Sequence, residues 1–280
     1  ALTKEVKRAT VHIAGMGLYE LFINGQRIGE QVLAPAPTDY RKTILYNTYD
    51  VTPQLQKENA IGVILGNGRF YTMRQNYKPY KIPTFGYPKL RLNLIVEYTD
   101  GSKQTIASDI AWKLTTEGPI RSNNEYDGEE YDARKELGDW NRTGYDDTNW
   151  ISAQRVSIPS GTLRAQMMPG MKVTESLKPV SIRKQGDKHI LDIGQNMAGW
   201  LRIRIKGQAG DSIRLRFAER LQPDGEIFTK NLRDAHCTDI YVVSGREPQD
   251  ATWAPRFVYH GFRYVEISGY PNAKTEDFTA

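Results

Sequence analysis

Strand-type alternation of apolar and charged residues is the feature that most constrains the fold of this chain. In residues 201–206, leucine and isoleucine occupy one set of alternate positions, and arginine and lysine occupy the other. A similar alternation recurs in residues 213–217. A strand with this period buries one face and exposes the other, as strands of an antiparallel sandwich do. We therefore expect Leu201, Ile203, Ile213 and Leu215 to point into a core.

Turn sequences predict two hairpins. Residues 18–23 run into Asn24-Gly25, the dipeptide most typical of a two-residue hairpin turn. Residues 90–98 lead into a Thr-Asp-Gly turn, and residues 104–107 return. Only residues 53–58 indicate a helical turn. Short strands separated by turns predict an all-β protein with two antiparallel, jelly-roll-like β-sandwich domains in tandem.

A turn-rich segment marks the predicted domain boundary. Residues 141–172 are rich in Thr, Ser, Asn, Gly and Pro and have no sustained period. We expect one sandwich in residues 1–160 and a second in residues 171–280. The length of 280 residues is typical of two domains.

Composition argues against several classes of protein. No apolar run reaches the 18 residues of a membrane-spanning helix. Cys237 is the single cysteine, which excludes internal disulfides and thiolate zinc sites. The net charge is +5, but lysine and arginine are scattered and no nucleic-acid-binding motif occurs, so nucleic acid is not an expected partner. No signal peptide is visible, and the chain begins at Ala1, as a processed or trimmed chain does.

An acidic stretch, residues 123–134, stands out in this basic chain. Five carboxylates fall within eight positions: Glu125, Asp127, Glu129, Glu130 and Asp132. Carboxylates two apart on one strand lie about 6.6 Å apart and project in parallel, so they cannot flank a sugar from opposite sides, and catalysis is the least favoured interpretation. A solvated edge strand and a site for sugar hydroxyls or calcium both stay open. Gly128 predicts a bulge or a close backbone approach.

A glycine turn and an aromatic loop form the next candidate. Gly66-Asn67-Gly68 lacks the lysine and the helix of a phosphate-binding loop, and we expect it to end a strand over residues 61–65. Six aromatic residues follow in a loop that contains proline: Phe70, Tyr71, Tyr77, Tyr80, Phe85 and Tyr87. They either form a sugar platform or pack the loop against the domain.

Histidine and cysteine positions indicate no catalytic site. The histidines have no metal-ligand spacing, and neighbours such as His236 and Cys237 point to opposite faces of a strand. No catalytic residue is therefore assigned. Five cations are expected on one exposed face of one sheet, either solvated or docked against another domain or an acidic polymer: Arg202, Arg204, Lys206, Arg214 and Arg216.

Ordered motifs in the chain are similar to those of a known family. Five of them resemble the N-terminal β-sandwich of bacterial α-L-rhamnosidases, glycoside hydrolase family 78: YELFINGQRIG (19–29), TDYRK (38–42), YNTYDV (46–51), GVILGNG (62–68) and YDGEEYDAR (126–134). Four more resemble the next sandwich of that family: DIGQNMAGW (192–200), ERL (219–221), NLR (231–233) and YHGFRYVE (259–266). Where the family usually has Trp-Tyr after Gly-Asn-Gly, this chain has Arg69-Phe70.

The resemblance implies a parent enzyme that hydrolyses terminal α-L-rhamnosyl residues with an (α/α)6 barrel. We expect this chain to be a non-catalytic part of it, truncated at its first strand, and the parent to be periplasmic or secreted. In the family, an N-terminal sandwich can act as a calcium-dependent rhamnose-binding module. The expected partners are therefore a rhamnose-containing glycan and the catalytic domain. In the alternative, the sandwiches only support the barrel.

Candidate carbohydrate contacts lie within or beside these motifs: Asp39, Asn67, Arg69, Tyr126, Asp127 and Glu129. Asp127 and Glu129 are also the candidate ligands for calcium, the one cofactor expected.

Overall fold

The computed structural model describes residues 1–71 and 84–280. The strands in these residues are β1 (Val6–Met16), β2 (Leu18–Ile23), β3 (Gln26–Arg27), β4 (Thr43–Asp50), β5 (Ile61–Gly66), β6 (Lys89–Tyr98), β7 (Lys103–Ala107), β8 (Lys113–Leu114), β9 (Ile120–Asn124), β10 (Gly128–Asp132), β11 (Ile151–Ser152), β12 (Thr162–Ala165), β13 (Ser181–Gln185), β14 (Lys188–Gly199), β15 (Arg202–Arg204), β16 (Ser212–Ala218), β17 (Arg220–Leu221), β18 (Ile227–Phe228), β19 (Thr238–Val242), β20 (Thr252–Trp253), β21 (His260–Ser268) and β22 (Phe278–Thr279). The helical segments are single 3-10 turns at Thr52–Gln54, Ala133–Lys135, Lys230–Leu232 and Thr275–Asp277. The chain is therefore all-β, as predicted.

The first compact unit comprises the described residues of 1–71, 84–117 and 137–172. Its larger sheet has the strand order β12-β4-β1-β6-β7, and a smaller sheet has the order β3-β2-β5. Apolar side chains from β1, β2 and β6 meet in one buried core. The predicted hairpin at Asn24-Gly25 is present, with φ angles of 52° and 82° that fit a type I′ turn. The second predicted hairpin joins β6 to β7.

The second compact unit comprises residues 118–136 and 173–280 of the described chain. A seven-stranded sheet has the order β13-β14-β21-β16-β19-β10-β9, and a three-stranded sheet has the order β20-β15-β22. The predicted alternation is confirmed, because Leu201, Ile203, Ile213 and Leu215 are all 0% exposed. Two pairings, β4 with β12 and β10 with β19, are parallel, so the sheets are not wholly antiparallel.

The hairpin of β9 and β10 lies in the second compact unit. These residues were expected in the first sandwich, but β10 pairs in parallel with β19 of the second unit. The Tyr131 ring of β10 stacks on Tyr241, with centroids 5.6 Å apart, and contacts Trp253 at 5.8 Å. This apolar burial places the acidic stretch in the second unit. Because β10 has a neighbour on each side, the interpretation as an edge strand is wrong.

The predicted row of five cations is also corrected. Arg202 and Arg204 lie on β15 of the three-stranded sheet, whereas β16 carries Arg214 and Arg216 in the seven-stranded sheet. Two members of the set form ion pairs, Arg204 with Asp250 at 3.2 Å and Lys206 with Asp277 at 2.7 Å. Local alternation predicts which side chains are exposed but not which sheet a strand joins.

Candidate functional site

Two turns of the first unit carry three of the predicted sugar contacts. In the first turn, Asp39 forms an ion pair with Arg41 at 2.9 Å. In the second turn, the Asn67 carbonyl accepts hydrogen bonds from the peptide N–H groups of Phe70 at 3.2 Å and Tyr71 at 3.3 Å, the two residues after Arg69. The Tyr40 and Phe70 rings meet at 4.9 Å and join the two turns. The structure therefore brings the turns of Asp39, Asn67 and Arg69 onto one aromatic cluster.

The aromatic residues after this turn divide into two groups. Phe70 is 0% exposed and stacks with Phe85 at 5.4 Å, so these two rings pack the loop. Tyr71 and Tyr87 form an outer pair with centroids 4.9 Å apart, and Tyr87 is 74% exposed. The predicted aromatic residues Tyr77 and Tyr80 lie outside the described residues.

A cleft of the first unit was not predicted. It has a volume of about 1700 Å³ and includes Tyr87, Trp112, Tyr145 and Trp150 among its lining residues. The Tyr145 and Trp150 rings meet edge to face at 5.7 Å. Asp39, Asn67 and Arg69 are not among its lining residues. The sequence signal was the aromatic content of residues 140–150, a segment interpreted only as a boundary.

The turn before β10 is fastened to the segment before β19. The Asp127 carboxylate accepts hydrogen bonds from Asn124 Nδ2 at 3.1 Å and from the His236 peptide N–H at 3.1 Å. The peptide N–H of Cys237 donates to the Tyr126 carbonyl at 3.0 Å. Asp127 thus holds two segments of the second unit together. The roles predicted for Tyr126 and Asp127 in sugar binding stay predictions.

Glu129 lies in the core of the second unit. Its side chain is 0% exposed, and its carboxylate accepts peptide N–H groups of Arg256 at 3.1 Å and Phe257 at 3.0 Å. Burial raises the pKa of Glu129 to about 8, although these N–H groups act in the opposite direction. Both carboxylate oxygens already accept peptide N–H groups, and the positive ends of these dipoles do not suit a site for a calcium ion. The predicted roles of Glu129, as a calcium ligand with Asp127 and as a sugar contact, stay predictions, and its burial argues against both.

Gly128 explains why Glu129 points inward. Its φ is +107°, and a Cβ there would lie 2.1 Å from the Thr238 carbonyl oxygen. The predicted close backbone approach is confirmed. Because only glycine allows it, β10 can lie against β19, and the next side chain enters the core.

A buried polar network continues from Glu129. Its peptide N–H donates to Asp239 Oδ1 at 2.9 Å, and His260 Nε2 lies 3.0 Å from the same oxygen. Cys237 Sγ lies 3.3 Å from His260 Nδ1, and the Phe217 ring stacks on His260 at 4.1 Å. Burial lowers the pKa of His260, but Asp239 and Cys237 outweigh it and raise the pKa to about 10.

Cys237, His260 and Asp239 follow one another in the order of a nucleophile, a base and an orienting carboxylate. The resemblance to a catalytic triad goes no further than this order. Asp239 is 0% exposed, His260 3% and Cys237 7%, so the interior position keeps substrates away. Cys237 contacts His260 and not its chain neighbour His236. No local pattern relates residues 23 positions apart on different strands, so sequence reasoning could not find this pair.

Two features of the described residues concern wider classes of function. Within residues 1–71 and 84–280, no group of three or more His, Cys, Asp and Glu side chains is arranged to hold a metal ion. In the same ranges, no helix has the length and apolar character needed to cross a membrane.

Models of two domain families match the chain in succession. Residues 4–175 match the α-L-rhamnosidase N-terminal domain, and residues 182–280 match the bacterial α-L-rhamnosidase concanavalin-like domain. An α-L-rhamnosidase of Streptomyces avermitilis is 41% identical over 280 residues, which cover 96% of this chain and 26% of the relative. An α-L-rhamnosidase of Formosa agariphila is 39% identical over 277 residues, and the match covers 96% of this chain and 29% of the relative.

Solved structures give the same result. The α-L-rhamnosidase of Dictyoglumus thermophilum superposes with a TM-score of 0.92 and 43% identity, covering 100% of this chain and 31% of that one. The Streptomyces avermitilis enzyme, solved in complex with L-rhamnose, gives a TM-score of 0.93 and 38% identity, covering 100% of this chain and 27% of that one. The chain thus spans roughly a quarter to a third of the length of these relatives. It belongs to the α-L-rhamnosidase family, with the N-terminal domain followed by the concanavalin-like domain.

Proposed function

We propose that this chain is a non-catalytic, sandwich-built part of an α-L-rhamnosidase and that it supports the rest of that enzyme. The parent would hydrolyse terminal α-L-rhamnosyl residues, the activity for which its relatives are named. The share of those relatives that the chain spans, 26% and 29%, supports a larger parent.

Exposed apolar side chains carry this proposal. Within residues 156–171 of the first unit, Met167 is 95% exposed, and four further side chains are about half exposed: Val156, Ile158, Met168 and Met171. Single exposed apolar residues are ordinary on a protein surface, whereas several in one short segment are typical of a surface that another domain covers. Covering them would gain about 25 cal/mol for each Å² removed from water. The remaining part of the rhamnosidase is the partner that we propose.

Activity measurements test the first half of the proposal. The isolated chain should release no nitrophenol from an aryl α-L-rhamnoside, whereas the full-length parent should release it. Turnover by the isolated chain that disappears on substitution of an acid in residues 125–132 would contradict the non-catalytic assignment.

A matched pair of variants tests the support role. Met167→Glu and Ile110→Glu both place a charge at an exposed position, 95% and 59% exposed, of the first unit. Neither should change the melting temperature of the isolated chain. In the full-length parent, Met167→Glu should lower the melting temperature because the charge would be buried against the partner, and Ile110→Glu should not. Equal behaviour of the two variants in the parent would refute the support role.

Carbohydrate binding by the first unit is the second candidate function. The aromatic cleft favours it, because the exposed Tyr87 ring and the half-buried Trp150 ring offer flat apolar faces to a sugar and the cleft is concave. Calorimetric titration with L-rhamnose, with and without calcium, should show saturable binding. Tyr87→Ala should abolish the binding at this cleft, followed by the amide NMR shifts of first-unit residues, and Tyr87→Phe, which keeps the ring, should retain it. Unchanged shifts of first-unit residues in Tyr87→Ala would exclude this cleft as the site.

A further inference from the structure

A cluster of three exposed polar side chains, Asn196, Glu219 and Asn231, lies in the second unit and shares no residue with the buried network. Glu219 follows β16 directly and accepts hydrogen bonds from Asn196 Nδ2 at 3.0 Å and Asn231 Nδ2 at 3.4 Å. All three residues are exposed. They come from three separate chain segments: strand β14, the end of β16 and the 3-10 turn at residues 230–232. Tertiary structure therefore assembles one carboxylate between two amides at the surface.

The floor beside Glu219 is made of very small residues. Ala198 of β14 pairs with Gly261 of β21, and both are exposed. Their neighbours Met197 and Phe262 pack on the core of the unit, so this pair faces outward. A Cβ on Gly261 would lie 3.9 Å from Glu219 Oε1, which places the carboxylate beside an open glycine surface.

An aromatic ring borders the same floor. Tyr259 lies two residues before Gly261 and is 40% exposed, and His260 between them is buried. Tyr259 directly precedes β21, and exposure alternates from Tyr259 through Gly261, so both face the outer side. Tyr259 and Glu219 are therefore both neighbours of the exposed Gly261.

The chemistry of this arrangement suits a ligand with adjacent hydroxyl groups. Each carboxylate oxygen can accept more than one hydrogen bond, and each oxygen of Glu219 receives one from an asparagine. In the described part of the chain, Glu219 forms no ion pair, so no cation competes with hydroxyl donors. The asparagines hold the carboxylate in place, and the tyrosine ring offers an apolar face for the C–H groups of a sugar ring.

We infer that Asn196, Glu219, Asn231 and Tyr259 form a carbohydrate subsite of the second unit. Its ligand is a pyranose that stacks on Tyr259 and donates two neighbouring hydroxyls to Glu219. This subsite is in a different unit from the aromatic cleft and does not depend on that cleft for binding.

Titration of the intact 280-residue chain with L-rhamnose tests the inference, with backbone amide NMR shifts as the readout for each unit. Shifts should saturate at residues around Glu219. Glu219→Gln and Tyr259→Ala should each weaken that binding about tenfold, since each removes a charge-assisted bond or a stacking face. Glu276→Gln, another exposed acid of this unit with 64% of its side chain accessible, should leave it unchanged.

The outcomes separate this inference from the first-unit candidate. Binding at residues around Glu219 that survives Tyr87→Ala but not Glu219→Gln supports the subsite. Saturable shifts confined to the first unit, or no saturable shift at all, overturn it. Shifts around Glu219 that Glu219→Gln leaves intact also overturn it, because the carboxylate would then make no contact.

Discussion

Glu129 and Glu219 are two carboxylates of the second unit with opposite surroundings. Glu129 is 0% exposed and bound by peptide N–H groups, whereas Glu219 is exposed and held by two asparagine side chains. Burying a carboxylate costs folding free energy unless hydrogen-bond partners surround it. The partners of Glu129 are therefore needed for the stability of the fold. An exposed carboxylate can exchange water for a ligand at little cost. Burial, rather than residue type or local acid density, therefore separates a structural acid from a candidate binding acid.

The largest expected effect is at Asp239, which joins Glu129 to His260. Asp239→Ala leaves a buried histidine and a buried peptide N–H without their partner. We expect the free energy of unfolding to fall by about 3–5 kcal/mol. Glu276→Ala, which removes an exposed acid of the same unit, should change it by less than about 0.5 kcal/mol. Similar urea midpoints for the two variants would show that the buried network does not stabilise the fold.

A second test is the glycine that lets Glu129 enter the core. Gly128→Ala would place a Cβ 2.1 Å from the Thr238 carbonyl oxygen, so β10 and β19 must separate. We expect a loss of about 2–4 kcal/mol of unfolding free energy. Gly186→Ala is the matched control, because its φ is also positive, at +62°, and nothing lies within 4 Å. It should lose only about 1–2 kcal/mol. Equal losses would mean that backbone conformation, and not the close approach, matters at Gly128.

Rising pH should destabilise the buried region. The pKa values of Glu129 and His260 are raised from 4.5 to about 8 and from 6.5 to about 10. Both groups bind protons more tightly in the folded state, so their contribution is complete at low pH and is lost as pH rises through those values. Urea midpoints measured from pH 6 to pH 10 should fall. In Glu129→Gln, the urea midpoint should fall less steeply below about pH 8, because the titrating carboxyl is gone. A midpoint profile like that of the wild type would contradict the raised pKa of Glu129.

Asp127 should have an intermediate, calcium-independent effect. Asp127→Ala removes the acceptor for Asn124 and for the His236 peptide N–H, and should cost about 1–2 kcal/mol. Melting curves with calcium and with a chelator should give the same loss. If calcium raises the melting temperature of the wild type and Asp127→Ala removes that rise, a cation site at Asp127 exists after all.

The smallest effect is expected at Glu219. Because this carboxylate is exposed, Glu219→Gln should change the free energy of unfolding by less than about 0.5 kcal/mol. Its pH profile of stability should match that of the wild type. A loss comparable to that of Asp239→Ala would remove the contrast between the two acids and assign Glu219 to the fold.

The sequence alone determined the strands, the turns and the family. Alternation identified the buried positions of β15 and β16, and Asn24-Gly25 identified its hairpin. These features depend on neighbours within a few residues, where side-chain direction and turn conformation are set by local geometry. The ordered motifs identified the rhamnosidase resemblance, which the two domain models bear out.

Only the tertiary structure decided where the acidic stretch lies and what its acids do. β10 pairs with β19, about 110 residues further along the chain, and this pairing buries Glu129 beside Asp239. The same long-range assembly joins Cys237 to His260 and places Asn196 and Asn231 on Glu219. Periodicity predicts that a side chain faces a sheet partner or solvent, but it does not identify the partner. Which strands pair depends on the apolar area buried and the hydrogen bonds formed across the whole unit. These contacts join residues far apart in the sequence, so local sequence patterns do not contain them.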